Sequence, residues 1–337
     1  MKEKLNMTNI YKWGIIGPGL ISHKVMEGLK QVPNAQLYAT ASLTPGKAET
    51  FSKQYSASKW YTSYEELVKD PEVDIIYVAT TNQLHMNNTI LALNSGKPVL
   101  CEKPMGVNAL QVQKMIDASK KNKLFLMEAM WSRFFPIMYK LRELLSQDII
   151  GNIHVVAGDL SGIIPGHDPS DPSIRQFNPN CAGGGLIDCG IYPLSFACMV
   201  FGKTPNRVSG LATMTPLNVD AHSVAVVGFE GGGIASIYSG IDAKSSQEAH
   251  IYGSEGRIRI PDFIHADTLE IYHLDKEMEK IVIPFSEPGY QFEILEVQKC
   301  IDEGYQESKI MPLNESLEIA KTLDSIRKLW NYKYPCE

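Results

Sequence analysis

The stretch "GIIGPGLIS" occupies residues 14–22, and the fold turns on how it is read. The short apolar run "KWGIIG" (12–17) ends in glycine, and helical apolar spacing follows at Leu20, Ile21, Val25, Met26 and Leu29. Gly17 and Gly19 fill the first two positions of G-x-G-x-x-G. In that turn a bare backbone lets a pyrophosphate approach a helix N-terminus, here opened by Leu20. The third position is Ser22, a small departure from Gly or Ala. Glycine turns join many strands to helices, so the motif draws its weight from context. Here it stands at the first β-to-α junction of an alternating series.

That series runs through the first third of the chain. "AQLYATAS" (35–42) reads as a strand, "KAETFSKQY" as a helix, and a short extended piece near Trp60 precedes the helical "YEELVKD". "DIIYVAT" (74–80) is apolar throughout, as a strand covered on both faces should be. A helix over "LHMNNTILALNSG", the strand "PVLCEKP", a helix from Asn108 to Lys121 and the strand "LFLMEAM" (124–130) close it. Alternating elements with short links predict an α/β doubly wound parallel sheet. After Met130 the rhythm changes. A helix over 136–148, the strand "NIHVVAGDLSG" and a long polar loop (163–182) lead to a helix over 186–201. Strand-like runs at 222–230, 233–241, 248–260 and 268–274 with Gly-rich turns predict an open, mostly antiparallel sheet over 206–274, and helices over 291–303 and 313–331 follow. The expected organisation is a nucleotide-binding domain over 1–130 and an α+β domain over 131–337, whose last helix could return to the first domain.

Composition narrows the function classes. With 337 residues, 44% hydrophobic and 21% charged, the chain has the size and make-up of a two-domain globular protein. A formal net charge of −6 and the absence of a Lys/Arg cluster argue against a nucleic-acid partner. The uninterrupted apolar runs are strand-sized, and no membrane partner is expected. "MKEKLNMTNI" (1–10) has no apolar core of a secretory leader. The six cysteines lack CxxC pairs, so no metal is expected and the thiols suit a reducing cytoplasm.

Several polar residues sit where chemistry belongs. The second strand ends "TASLTPGK" (40–47) without a carboxylate, leaving Ser42, Thr44 and Lys47 as donors. An acidic residue there would suit the NAD ribose, so NADP is favoured and NAD stays open; an ordinary solvated turn is the alternative. "ATTNQLH" (79–85) ends the fourth strand, placing Thr80, Thr81, Asn82 and His85 at the ligand edge of the sheet, although His85 could simply pack at its helix start. "CEKPMG" (101–106) puts Glu102 and Lys103 at the end of the fifth strand. In "GGGLIDCGIYPL" (183–194), Asp188 and Tyr192 are four residues apart, one helical turn, and share a face.

Together these motifs resemble the Gfo/Idh/MocA oxidoreductases over nearly the whole chain, in the family's order. "MEAMWSRFFP" (127–136), "RQFNP" (175–179) and "GYQFEILEVQKCIDEGYQES" (289–308) are similar to its dihydrodiol dehydrogenase branch, which includes NADP-dependent D-xylose dehydrogenases. The resemblance implies a Rossmann fold with Tyr192 as acid/base on a substrate hydroxyl, assisted by Lys103, and Asp188 orienting substrate or lysine. It implies cofactor contacts from Asn82, His85, Glu102, Lys103, Trp131 and Arg133, and substrate contacts from Trp131, Phe177, Asp188 and Tyr192. The substrate would be a sugar or diol, and a homodimer through the C-terminal sheet is the default.

The chemistry agrees with these roles. The nicotinamide performs the hydride transfer, so the protein must take the hydroxyl proton. A phenol of pKa about 10 is a poor base at neutral pH, and a nearby ammonium favours phenolate. A carboxylate close by opposes that unless it is paired, which asks for a specific Asp188–Lys103 geometry. The alternative is a half-buried tyrosine before Pro193 and an aspartate capping a neighbouring backbone. Two other functions stay open: a nucleotide-sensing regulator without turnover, and an NAD-dependent glycosidase of the same fold. His167, Asp168, Asp171 and Arg175 in the long loop suit polyols, sugars and aromatic diols alike.

Overall fold

The structure, a computed structural model, describes residues 10–337, so the leader expectation, apart from Ile10, lies outside the described residues. In chain order the first elements are β1 (Tyr11–Ile16), α1 (Leu20–Leu29), β2 (Ala35–Ala41), α2 (Lys47–Gln54), β3 (Lys59–Tyr61), α3 (Tyr64–Lys69), β4 (Ile75–Val78), α4 (His85–Asn94), β5 (Val99–Glu102), α5 (Ala109–Asn122) and β6 (Leu126–Ala129). Then come α6 (Pro136–Ser146), β7 (Ile153–Ser161), α7 (Ile191–Phe201), β8 (Pro205–Met214), β9 (Asp220–Phe229), β10 (Ile234–Gly240), β11 (Ala249–Gly253), β12 (Gly256–Ile260), β13 (Thr268–His273), β14 (Glu279–Val282), α8 (Gln291–Asp302) and α9 (Leu313–Leu329).

The chain divides into two compact units. Of the described residues the first holds 10–102, Lys114–Ala129 and Glu287–Lys309; the second holds Lys103–Gln113, Met130–Ser286 and Ile310–Glu337. The units interleave, where the sequence suggested a single cut at 130. In the first, α8 returns from far along the chain to pack on α1. The last helix, α9, belongs to the second unit and packs on α7 and β8.

The first unit is the expected doubly wound sheet, with strand order β3-β2-β1-β4-β5-β6. Every pairing in it is parallel. β4, β5 and β6 are buried at every residue, which is why their sequences are apolar apart from Glu102 and Glu128. Local signals set the helix starts: the Ser63 side chain accepts from the Glu66 N–H to open α3. In the second unit Pro136 stands at the first position of α6, where its missing N–H costs nothing.

The second unit carries an eight-stranded sheet ordered β14-β13-β12-β11-β7-β10-β9-β8. Its pairings are antiparallel except β7 with β10. The sequence scan did not pick out β8 as a run, nor β14. Helix α7 lies on β7 and β10, buried along nearly its whole length. Residues 179–201 are in fact long and apolar enough to cross a membrane by composition, a length that a search for unbroken apolar runs passes over; here they are mostly buried as core.

Candidate active site

In the first unit the phosphate-type turn is built as the sequence predicts. Gly17 has φ +83°, and a Cβ there would lie 2.7 Å from Thr80 Cγ2 and 3.0 Å from the Thr80 backbone. Only glycine fits this conformation at this approach. The Gly17 N–H donates to the Ala41 carbonyl at 3.0 Å, so the turn sits against the ends of β2 and β4. Ser22 explains its own departure from the motif: buried, its Oγ donates back to the Gly17 carbonyl at 3.3 Å. Gly19 caps α1 with no side-chain hydrogen bond, and Leu20 is 90% exposed. A helix N-terminus uncapped by side chains, behind a cradle that a Cβ would fill, fits a pyrophosphate.

The other residues expected around that ligand fall on the same sheet edge. His85 Nε2 donates to the Thr80 carbonyl at 3.0 Å, and Asn88 donates to Thr80 Oγ1 at 3.2 Å. Asn82 and His85 are buried, and Thr81 precedes the turn Asn82–Leu84. At the end of β2, Ser42 is buried and its Oγ accepts from the Thr44 N–H at 3.1 Å, while Thr44 and Lys47 are exposed. Glu102 is buried and accepts from the Tyr77 hydroxyl, and burial pushes that phenol's pKa well up.

The second unit gathers the acid–base candidates. Lys103 Nζ lies 4.8 Å from the centre of the Tyr192 ring. It also donates to the backbone carbonyl of Asp188 at 3.0 Å. Trp131 Nε1 donates to the Tyr192 hydroxyl at 2.9 Å. The Trp131 ring is held edge-on by Phe135 and His265, with centroids 5.2 and 5.5 Å away. An ammonium over the ring and an N–H on the oxygen both favour a negative phenol oxygen.

The Asp188 carboxylate is taken by Arg175, whose Nη1 and Nη2 donate at 3.0 and 2.8 Å. A two-pronged pair of this kind compensates the carboxylate charge, so Asp188 does not oppose phenolate as a bare carboxylate would. The Asp188 charge, the largest influence, holds the Arg175 guanidinium above its ordinary range. Burial first, and then the Asp188 charge, push the neighbouring Cys189 thiol up to about 12, leaving it no nucleophile near neutral pH.

The helix under these groups differs from the expected α-helix. Leu186–Gly190 form a π turn, which runs into α7 at Ile191. Pro193, at the start of α7, contributes no N–H to the helix ladder, and the Asp188 carbonyl accepts from Lys103.

Two candidates are placed elsewhere. Arg133 is buried and donates to the Ser195 carbonyl and hydroxyl at 2.9 and 3.0 Å, to Glu315 at 2.7 Å and to the Ile310 carbonyl at 3.0 Å. It braces α7 against the start of α9. Phe177 is fully buried in an apolar cluster with Val107, Ile187, Tyr332 and Tyr334. In the long loop, Asp168 and Asp171 accept from Ser170 and Ser173, and His167 lies edge-on to Phe177. Arg175, which the sequence offered only as one of the polar loop residues suited to a substrate, pairs with Asp188, and that pairing is what sequence reasoning missed. None of the six cysteines is in a disulfide, and among the described residues no group of three His, Cys, Asp or Glu side chains could hold a metal ion.

Comparison with known proteins agrees with this geometry. Residues 11–130 match the family model of the GFO/IDH/MocA oxidoreductases with an NAD-binding Rossmann fold, and residues 138–259 match the GFO/IDH/MocA C-terminal domain. The chain is 35% identical over 335 residues to trans-1,2-dihydrobenzene-1,2-diol dehydrogenase of Mus musculus, covering 96% of this chain and 98% of that protein. Among solved structures it resembles aldose-aldose oxidoreductase from Caulobacter crescentus complexed with glycerol, at TM-score 0.85 and 23% identity over 95% of this chain and 97% of that one. It also resembles levoglucosan dehydrogenase complexed with NADH and levoglucosan, at TM-score 0.87 and 19% identity over 96% and 99%.

Proposed function

Because the chain belongs to the Gfo/Idh/MocA oxidoreductase family, we propose that it is a dehydrogenase that exchanges a hydride reversibly between NADP and a secondary hydroxyl of a sugar or vicinal dihydrodiol. The observation that carries this reading is the Lys103–Tyr192–Trp131 arrangement, an ammonium and an indole N–H placed around one phenol. The nicotinamide supplies the hydride acceptor. The chain's own part is the proton. Tyr192 Oη takes it from the substrate hydroxyl in oxidation and returns it in reduction. Lys103 and Trp131 favour the deprotonated oxygen, and Asp188 with Arg175 fixes the turn on which the phenol stands. Turnover followed at the reduced-nicotinamide absorbance over a panel of aldoses and diols tests the reading; no signal with any of them would overturn it.

The end of β2 supports NADP. It offers the exposed Thr44 and Lys47 and no carboxylate from Thr40 to Lys47. A lysine near a ribose phosphate contributes a charge-assisted contact worth about 1.5–3 kcal/mol. Lys47→Ala should therefore raise the KM for NADP by ~10-fold or more and leave the KM for NAD nearly unchanged. Equal changes for both nucleotides would remove Lys47 from the phosphate.

Assembly is proposed from the outer face of the second sheet. Leu211 is 83% exposed on β8, directly across from the exposed Val224 on β9, with exposed Val226 and Ile234 nearby on β9 and β10. A contiguous apolar strip on a sheet face supports pairing with a second copy. Val224→Glu should shift the protein toward monomer, weakening self-association by ~10-fold or more in sedimentation at micromolar concentration. The six cysteines, none of them in a disulfide, support a reducing, cytoplasmic compartment.

A further inference from the structure

We propose that Asp220 is a positioning residue for the acid–base pair: its carboxylate pins the first turn of the helix that carries Asp188 and Tyr192, and so sets the approach of Lys103 to the phenol. The proposal rests on the dehydrogenase reading above and deepens it.

Asp220 begins β9 and has no exposed surface. Its Oδ2 accepts from the backbone N–H of Leu186 at 2.5 Å, the residue that opens the π turn. Its Oδ1 stands 2.2 Å from where a Cβ on Gly184 would lie, and Gly184 has φ +123°, so the glycine run before the helix is what admits the carboxyl. The Gly184 carbonyl in turn accepts from the Asp188 N–H at 3.2 Å. Lys103 is anchored on the Asp188 carbonyl. An unbroken line of contacts therefore runs from Asp220 through Gly184 and Leu186 to Asp188 and the lysine.

A carboxylate at a helix N-terminus is favoured by the peptide dipoles, but a buried one is costly. Here the cost prevails. Burial, the largest influence, pushes the Asp220 carboxyl up to about 7, against the pull of the Leu186 N–H. The titratable and charged groups around it are Asp188 and Cys189 on the π turn, Arg327 on α9, and Tyr332 and Tyr334 in the C-terminal tail. Asparagine would supply a neutral acceptor for the same N–H. The acid either holds the fold alone or also holds the approach of Lys103 to the phenol.

The sign of the stability effect separates the two roles. The folded-state pKa lies above the ordinary value near 3.9, so the folded form favours the protonated acid. The stability this contributes is present below about pH 4 and is lost as pH rises through about 7. Asp220→Asn should consequently keep or raise the Tm at pH 8.

The deciding measurement is the titration of Tyr192 by tyrosinate absorbance, taken as the difference from Tyr192→Phe in each background. Removing a negative charge would by itself lower the pH at which the phenol titrates. If Asp220 works by placing Lys103, Asp220→Ala, which leaves the Leu186 N–H without this acceptor, raises that pH by about one unit, as loss of a nearby ammonium does. Its kcat should fall ~10-fold, with the KM for the nucleotide within about twofold. Asp220→Asn, which keeps an acceptor at the same place, should restore both, and Asp220→Ser, too short to reach the N–H, serves if the alanine variant folds poorly. A Tyr192 titration unchanged or lowered in the variant without the acceptor, or an asparagine variant as impaired as it, overturns the proposal. Absence of turnover in the unaltered protein would sink the dehydrogenase reading alone, because the phenol titration still decides the role of Asp220.

Discussion

Lys103→Met and Tyr192→Phe should each lower kcat by at least ~10²-fold in either direction, the scale of a general acid–base contribution. The first leaves the phenol without the ammonium 4.8 Å from its ring; the second leaves no atom to carry the proton. Trp131→Phe keeps the aromatic packing against Phe135 and removes one hydrogen bond to the phenol oxygen, so a loss nearer tenfold is expected. The order of the three effects matters as much as their size. If the lysine acts through the tyrosine, the double variant is no slower than Tyr192→Phe, whereas independent roles would multiply. Initial rates at the nicotinamide absorbance supply the test, and near-normal turnover in both single variants would falsify the assignment.

The second large effect lies in the phosphate-type turn. Gly17→Ala forces a Cβ to within 3.0 Å of the Thr80 backbone while φ stays at +83°. Strain and crowding together should cost about 2–4 kcal/mol of stability and lower nucleotide affinity ~10²-fold. Gly19→Ala is the matched control. Its Cβ would meet nothing nearer than the Gly17 carbonyl at 3.9 Å, and its φ of −108° suits any residue. It should keep the Tm and lose affinity only to the extent that the ligand needs bare backbone there. Thermal unfolding and quenching of protein fluorescence by the nucleotide separate the two variants. Equal stability losses would mean that Gly19 is structural after all.

Much of this was legible before folding, for identifiable reasons. Strands buried on both faces are largely apolar, so β4, β5 and β6 could be read directly despite Glu102 and Glu128. β8 could not, because only alternate residues are partly covered and, Leu211 apart, the exposed ones are polar, leaving no apolar run. The pairing of Lys103 with Tyr192 followed from a resemblance, and the fold places them in contact. Phe177 shows the limit of such transfer: the resemblance put it beside substrate, and the structure puts it in the core. What Arg175 and Asp220 bind carries no local signal. Their partners lie 13 and 34 residues away, and only the return of a loop and a strand to the π turn makes them neighbours. The helix is present as expected, but its first turn, Leu186–Gly190, is of the π type, which a spacing of four does not reveal.

The lysine's anchor is indifferent to side-chain identity. Lys103 donates to a backbone oxygen, and that atom survives every substitution at position 188. The ammonium keeps this partner even when the carboxylate is exchanged or lost, so the charge at 188 can be varied without releasing the amine from the peptide chain.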